Sequence, residues 1–203
     1  MQHTDRVRSR VPDGTLIRGL YSAVYLVEHG KKRPISDMAT FHSYGFTAKS
    51  MVELNESVLD EMQTGSPVNI SGDFILNSPS TLLVKNSGSG IYLWSDRRLH
   101  PIISHEMYHR LHFNYSSVVI LPDELIAILP QGDMIHDASL LTSFLINGRV
   151  YSAPNGSIYY GERHMLRKIG GPAIFAFYRW RVEEIVHLTS EEFHNCRIGE
   201  PIL

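Results

Sequence analysis

The sequence predicts an α+β protein of three tandem units. Three observations carry this. Sliding the 203-residue chain by 67 residues lays like on like without a gap. Each unit has the 2-residue period of strands before the 3.6-residue period of helices. Glycine, serine and asparagine clusters punctuate the units at matching places. Nine columns keep their chemical type across all three copies. These are Tyr25/Tyr92/Tyr159, Ile35/Ile102/Ile169, Phe41/Tyr108/Phe175, Phe46/Phe113/Trp180, Val52/Val119/Val186, Leu54/Leu121/Leu188, Leu59/Ile126/Phe193, Gly65/Gly132/Gly199 and Val68/Ile135/Ile202. The predicted division is a tail over 1–12 and units over 13–68, 69–135 and 136–203, integrated into one domain.

Each unit reads in the same order. Leu16-Ile17, Leu83-Val84 and Val150-Tyr151 are apolar and open a first strand. Turns such as Ser87-Gly88-Ser89-Gly90 and Pro154-Asn155-Gly156 follow. Val24-Tyr25-Leu26-Val27 and Ile91-Tyr92-Leu93-Trp94 are β-branched and aromatic, which suits a second strand. Polar turns at His29-Gly30-Lys31 and Ser95-Asp96-Arg97 return the chain into a third strand ending near Ile35 or Ile102. Met38 and Phe41, and Met107, Tyr108 and Leu111, then fall at helical spacing, with Ser36 or Asp37 and Ser104 as N-caps. A second short helix starts at Thr189-Ser190-Glu191-Glu192, a capping-box spacing, and at its equivalents near Asn55 and Asp123. The glycine column at 65, 132 and 199 is expected to stop that helix as its C′ residue. A unit of this size has too thin a core to stand alone. Three units therefore share an apolar centre, as a closed pseudo-threefold body or a short row. Closure is favoured because neither terminal unit looks like a polar cap.

Composition narrows the function. Lys plus Arg is 19 against 21 Asp plus Glu, a net charge of -2. That is a poor balance for neutralising phosphates, so no nucleic-acid partner is expected. No apolar run approaches 18 residues, so no membrane insertion is expected. Met1 to Arg10 is polar, without the apolar stretch of a secretory signal. The single cysteine, Cys196, excludes an internal disulfide and aligns with Met62 and Leu129, so it reads as a buried thiol. The triplets at Asn55, Asn69, Asn114 and Asn155 read as turn and cap chemistry.

The string Gly14-Thr15-Leu16-Ile17-Arg18, with Ala23-Val24-Tyr25-Leu26-Val27, Gly30-Lys31-Lys32-Arg33-Pro34-Ile35, Phe41, Gly45 and Phe46, resembles a bacterial tandem repeat of secreted and cell-surface proteins. That repeat is often appended to cell-wall or polysaccharide hydrolases. Unit two keeps Ile91-Tyr92-Leu93 and His100-Pro101-Ile102; unit three departs, with Lys168 before Ile169. The resemblance implies an extracellular or cell-surface location. It also implies a non-catalytic accessory module for carbohydrate or another envelope polymer, and brings no contact residues with it.

Three patterns are candidates for chemistry. Arg33, His100 and Arg167 share one column and could meet an acidic glycan three times over; a structural cation within each unit is the competing reading. Trp94 stands where the other units have Val27 and Gly161, so the repeat does not demand it, and it is a candidate stacking surface for a sugar. His105-Glu106-Met107-Tyr108-His109 has the H-E-x-x-H spacing of zinc hydrolases, with His112 and Glu124 further on. Units one and three lack it, having Met38 and His42, and Pro172 and Ala176, at the histidine positions. The expectation is accordingly a non-enzymatic binding module without cofactor or stoichiometric metal. A protein-interaction scaffold and a zinc hydrolase using His105, His109 and Glu106 are the alternatives.

Overall fold

A computed structural model describes residues 11–21, 23–113, 117–135 and 145–203. The readings made on Met1 to Arg10 and on Asn114 lie outside these residues. Short helices and strands mix along the chain, and the strands form three separate open sheets.

The first sheet holds β1 (Leu16–Arg18), β2 (Val24–Glu28), β3 (Lys31–Pro34) and β4 (Val52–Glu53), in the order β3-β2-β1-β4. The second holds β5 (Thr81–Lys85), β6 (Ile91–Ser95), β7 (Arg98–Ile102) and β8 (Val119–Ile120), in the order β7-β6-β5-β8. The third holds β9 (Val150–Ser152), β10 (Ile158–Glu162), β11 (Met165–Ile169), β12 (Val186–His187) and β13 (Arg197–Ile202), in the order β12-β9-β10-β11-β13. In each, an antiparallel meander takes a short parallel strand on its first member. Where β13 lies on β11, the first two sheets carry isolated bridges instead, among them Ile35 to Val68 and Ile102 to Ile135.

The second hairpin of every sheet turns on two residues with positive φ: His29 and Gly30, Asp96 and Arg97, Arg163 and His164. Two successive positive φ values are the I′ geometry whose twist matches that of the flanking strands. Helices follow the meanders. Asp37 caps α1 (Met38–Ser43) through Thr40 N–H, and Ser104 caps the later Met107 N–H of His105–Arg110. Thr189 and Glu192 complete a capping box on Ser190–Asn195.

The glycine column behaves differently from expectation. Gly65, Gly132 and Gly199 do not have the positive φ of a C′ residue, and the preceding helices end at Met62, Leu129 and Cys196 in extended conformation. These glycines sit against the cation column instead. A Cβ on Gly65 would lie 3.1 Å from Arg33 Cγ, one on Gly132 would lie 2.1 Å from His100 Cε1, and one on Gly199 would lie 3.4 Å from Arg167 Cγ. A side chain there would displace the residue above it.

Three apolar clusters fill the interior. One joins Leu16 and Leu26 to Leu82, Trp94 and Leu99. A second joins Leu93 and Leu111 to Tyr151 and Leu166. The third joins Ile17 and Val27 to Val150, Tyr160 and Ile202. Consecutive residues of a strand, such as Leu26 and Val27 or Leu93 and Trp94, therefore serve two clusters, one on each face. Sheets buried on both faces explain why these strands read as apolar runs and not as alternation. Phe41 and Tyr108 are buried, whereas Phe175 is only partly so. Val52, Val119 and Val186 are all buried.

Candidate functional site

The cation column is built by the third strand of each meander, one residue before a proline in β3 and β7 and before Lys168 in β11. All three side chains make one bond in common. Arg33 Nε donates to the Ser66 carbonyl at 2.9 Å, His100 Nδ1 to the Asp133 carbonyl at 3.0 Å, and Arg167 Nε to the Glu200 carbonyl at 2.8 Å. Each bond ties the strand to the segment that follows the second helix.

The two arginines do more. Arg33 forms an ion pair with Glu28 and Arg167 with Glu162, in each case across a two-residue hairpin. Both carboxylates are buried, Glu28 at 4% exposure and Glu162 at 5%. Arg33 also donates to the carbonyls of Pro67, Leu76, Asn77 and Ser78, so every guanidinium N–H it owns is used within the chain. A guanidinium spent on a buried acid and a ring of carbonyls has no fork left for a glycan carboxylate. In the second sheet, Ser95 replaces the acid and His100 replaces the arginine, so both members of the pair change together.

The buried acids also receive the segment ahead of a neighbouring meander. Glu28 Oε1 accepts from Ser80 N–H at 2.6 Å and from its hydroxyl at 2.7 Å. Glu162 Oε1 accepts from Asp13 N–H at 2.8 Å. Tyr160 Oη donates to the Asp13 carbonyl at 2.6 Å, and Arg163 Nε donates to Asp13 Oδ2 at 2.9 Å. The segment ahead of β1 is thereby held to β10 and the turn after it. Glu28, Glu162 and Asp13 were missed by inspection of the sequence. The signal was present: an acid five residues before each arginine, spanning the turn, and a serine before the histidine.

Trp94 is 1% exposed and packs edge-on against Phe74, 5.2 Å between ring centroids. This corrects the expectation of a stacking surface, since a ring enclosed in the first cluster presents no face to a sugar. The recurring tyrosines are also largely inside. Tyr159 is buried, and Tyr25 and Tyr92 are half-buried, with Lys32 Nζ over the Tyr25 ring. Burial pushes Tyr44 up to about 12 and raises Tyr151, Tyr160 and Tyr178 from the usual phenol value.

His105 and His109 are both exposed on the six-residue helix that opens at Ser104. Their Nε2 atoms are 3.2 Å apart and their ring centroids 4.2 Å. Glu106 is exposed on the adjacent position. His112 turns elsewhere, its Nδ1 donating to the Glu183 carbonyl at 3.0 Å. Among the described residues no three His, Cys, Asp or Glu side chains gather closely enough to hold one metal ion. Ser152 and His187, 2.6 Å apart, invite a nucleophile–base reading. They occupy the register positions of Arg18 and Glu53, an exposed ion pair across β1 and β4, and so are a cross-strand polar pair. A cavity of about 330 Å³ is lined by apolar side chains including Val24, Met38, Phe41, Phe46 and Met51.

No family model and no curated protein matches the chain. Three solved structures are similar at low level. One is the periplasmic assembly of the ESX-5 inner membrane complex, at 11% identity and a TM-score of 0.24, covering 97% of this chain and 61% of that one. Another is the EccB3 dimer of the ESX-3 core complex, at 14% and 0.23, covering 91% and 62%. A third is the intact ESX-5 inner membrane complex, at 12% and 0.25, covering 93% and 52%. The chain thus spans less than two thirds of each of those chains. At these TM-scores the likeness carries no functional argument, and the chain's own residues must carry it. No described helix is long and apolar enough to cross a membrane.

Proposed function

We propose that the chain is a non-catalytic scaffold for protein interaction, made of three 67-residue units closed into a pseudo-threefold body. One observation carries the reading. The polar column that all three units own is turned inward, with Arg33 and Arg167 on buried Glu28 and Glu162 and His100 on the Asp133 carbonyl. What the units keep in common is the means of holding themselves together. Closure is supported by the three apolar clusters, each drawing on a different pair of sheets, with the third joining the first sheet to the last. The bonds from Asp13 to Glu162, Tyr160 and Arg163 support it from the polar side.

An extracellular or cell-surface place is the reading that the resemblance of the first unit supports. A carbohydrate or envelope-polymer ligand is the second reading, on that resemblance alone, because the residues nominated for it have other work. Leu20, Tyr21, Ile120 and Ile128 carry exposed apolar side chains, and these are the places to look for a protein partner.

The deciding experiment presents the intact chain with envelope polysaccharides and their oligosaccharides. No saturable binding and no cleavage are expected. Binding to any of them restores the carbohydrate reading, and cleavage overturns the non-catalytic one. Closure is tested separately by a circular permutant that joins Leu203 to Val11 and opens the chain between Gly72 and Asp73. The permutant should fold with an unchanged near-ultraviolet circular dichroism spectrum, because Val11 and Ile202 already belong to the third cluster. A two-unit fragment over 13–135 that unfolds as cooperatively as the whole chain would refute closure.

A further inference from the structure

We propose that His105 and His109 form a two-nitrogen chelate for a divalent transition cation of the zinc, copper or nickel class. The argument begins with spacing. Residues i and i+4 of a helix lie one above the other on the same face. Ser104 starts this helix by accepting from Met107 N–H, which sets His105 on its first turn and His109 on its second. The rings meet at 79° to one another, with Nε2 facing Nε2 at 3.2 Å. Zinc binds imidazole nitrogen at about 2.0–2.1 Å. Two nitrogens 3.2 Å apart and each about 2.05 Å from one ion subtend roughly 100° at it, close to a tetrahedral angle. The pair already has the bite of a chelate, and a small rotation of each ring turns both lone pairs onto a shared ion.

The fold does not require this pair. The equivalent helices carry Met38 and His42, or Pro172 and Ala176, at the same positions and still form. Both histidines point to solvent, so an ion reaches them without opening the protein.

A zinc hydrolase asks for more than this pair. Catalytic zinc takes three protein ligands and keeps one position for water. Glu106, one residue from His105, lies about 100° around the helix from it and off the chelating face. No third His, Cys, Asp or Glu joins the pair among the described residues. Imidazole suits zinc, copper and nickel, and divalent copper is expected to bind more tightly than zinc at such a site. Ligand nitrogens must be deprotonated, so binding weakens on acidification.

The test is calorimetric titration of the chelator-treated chain with zinc chloride and then with copper chloride. The expected result is one site per chain that weakens at least tenfold in His105→Asn and in His109→Asn. It should vanish in the double variant and persist in Glu106→Gln. Thermal unfolding without metal should be the same in all four variants, and added zinc should raise the midpoint of the parent and of Glu106→Gln but not of the double variant. Absence of a site in the parent overturns the proposal. So does a site that survives in the double variant. Loss of the site in Glu106→Gln with both histidines intact would replace the two-nitrogen chelate by one that recruits the carboxylate.

Discussion

Removing the Arg33 guanidinium tests the inward-facing cation most directly. Arg33→Met keeps much of the stem that packs against Gly65 but deletes the charge. Glu28 would then remain buried at 4% exposure with Ser80 as its one partner among the bonds described above. Breaking a buried pair from one side costs about 3–5 kcal/mol, because the remaining charge is uncompensated. The carbonyls of residues 66–67 and 76–78 lose their shared donor at the same time. With a urea dependence of about 2 kcal/mol/M, the unfolding midpoint should fall by about 1.5–2.5 M. The second sheet supplies the control. Glu28→Ser combined with Arg33→His copies Ser95 and His100 and removes both charges. Its loss should be smaller than that of Arg33→Met alone, and a double-mutant cycle should show coupling of about 1–3 kcal/mol. The reasoning fails if Arg33→Met costs under about 1 kcal/mol with the fold intact. It fails equally if the double variant loses as much as its two single changes summed.

The glycine column should rank by the space above it: Gly132→Ala, whose Cβ meets His100 at 2.1 Å, is expected to destabilise most, at about 1–3 kcal/mol, with Gly65→Ala milder and Gly199→Ala mildest in urea unfolding. Phe41→Ala should cost about 3–5 kcal/mol, since the ring is 3% exposed in the first cluster; a loss under 1 kcal/mol would mean the cluster collapses onto the space. Alkali should unfold the protein. Tyr44, raised by burial to about 12, and Tyr178, raised likewise, keep their protons when folded, whereas free phenols lose them near 10. Their contribution is complete below pH 10 and is lost as pH climbs toward 12. Phenolate absorbance at 295 nm and loss of circular dichroism should therefore rise together, and full ionisation near pH 10 in a folded chain would refute this.

The order of elements was legible in the chain alone because it rests on local chemistry. Apolar runs, paired turn residues and N-caps act within a few residues of themselves. Asp37, Ser104 and the Thr189–Glu192 box cap helices at the expected places for that reason. The 67-residue register placed Arg33, His100 and Arg167 in one column, and nothing local could say which way they faced. That direction depends on Glu28 and Glu162 across the hairpins, and on carbonyls about 33 residues further along the chain, which only the fold brings into reach. Trp94 was misjudged for the same reason. A residue that the register does not require can still be buried, because the space it fills is made by Phe74 and the neighbouring sheet. The glycines at 65, 132 and 199 looked like helix ends and proved to be clearance for a side chain on another strand. Local sequence determines which elements form. Whether a polar residue is spent inside or offered outside depends on contacts between segments far apart in the chain, and those belong to the tertiary structure.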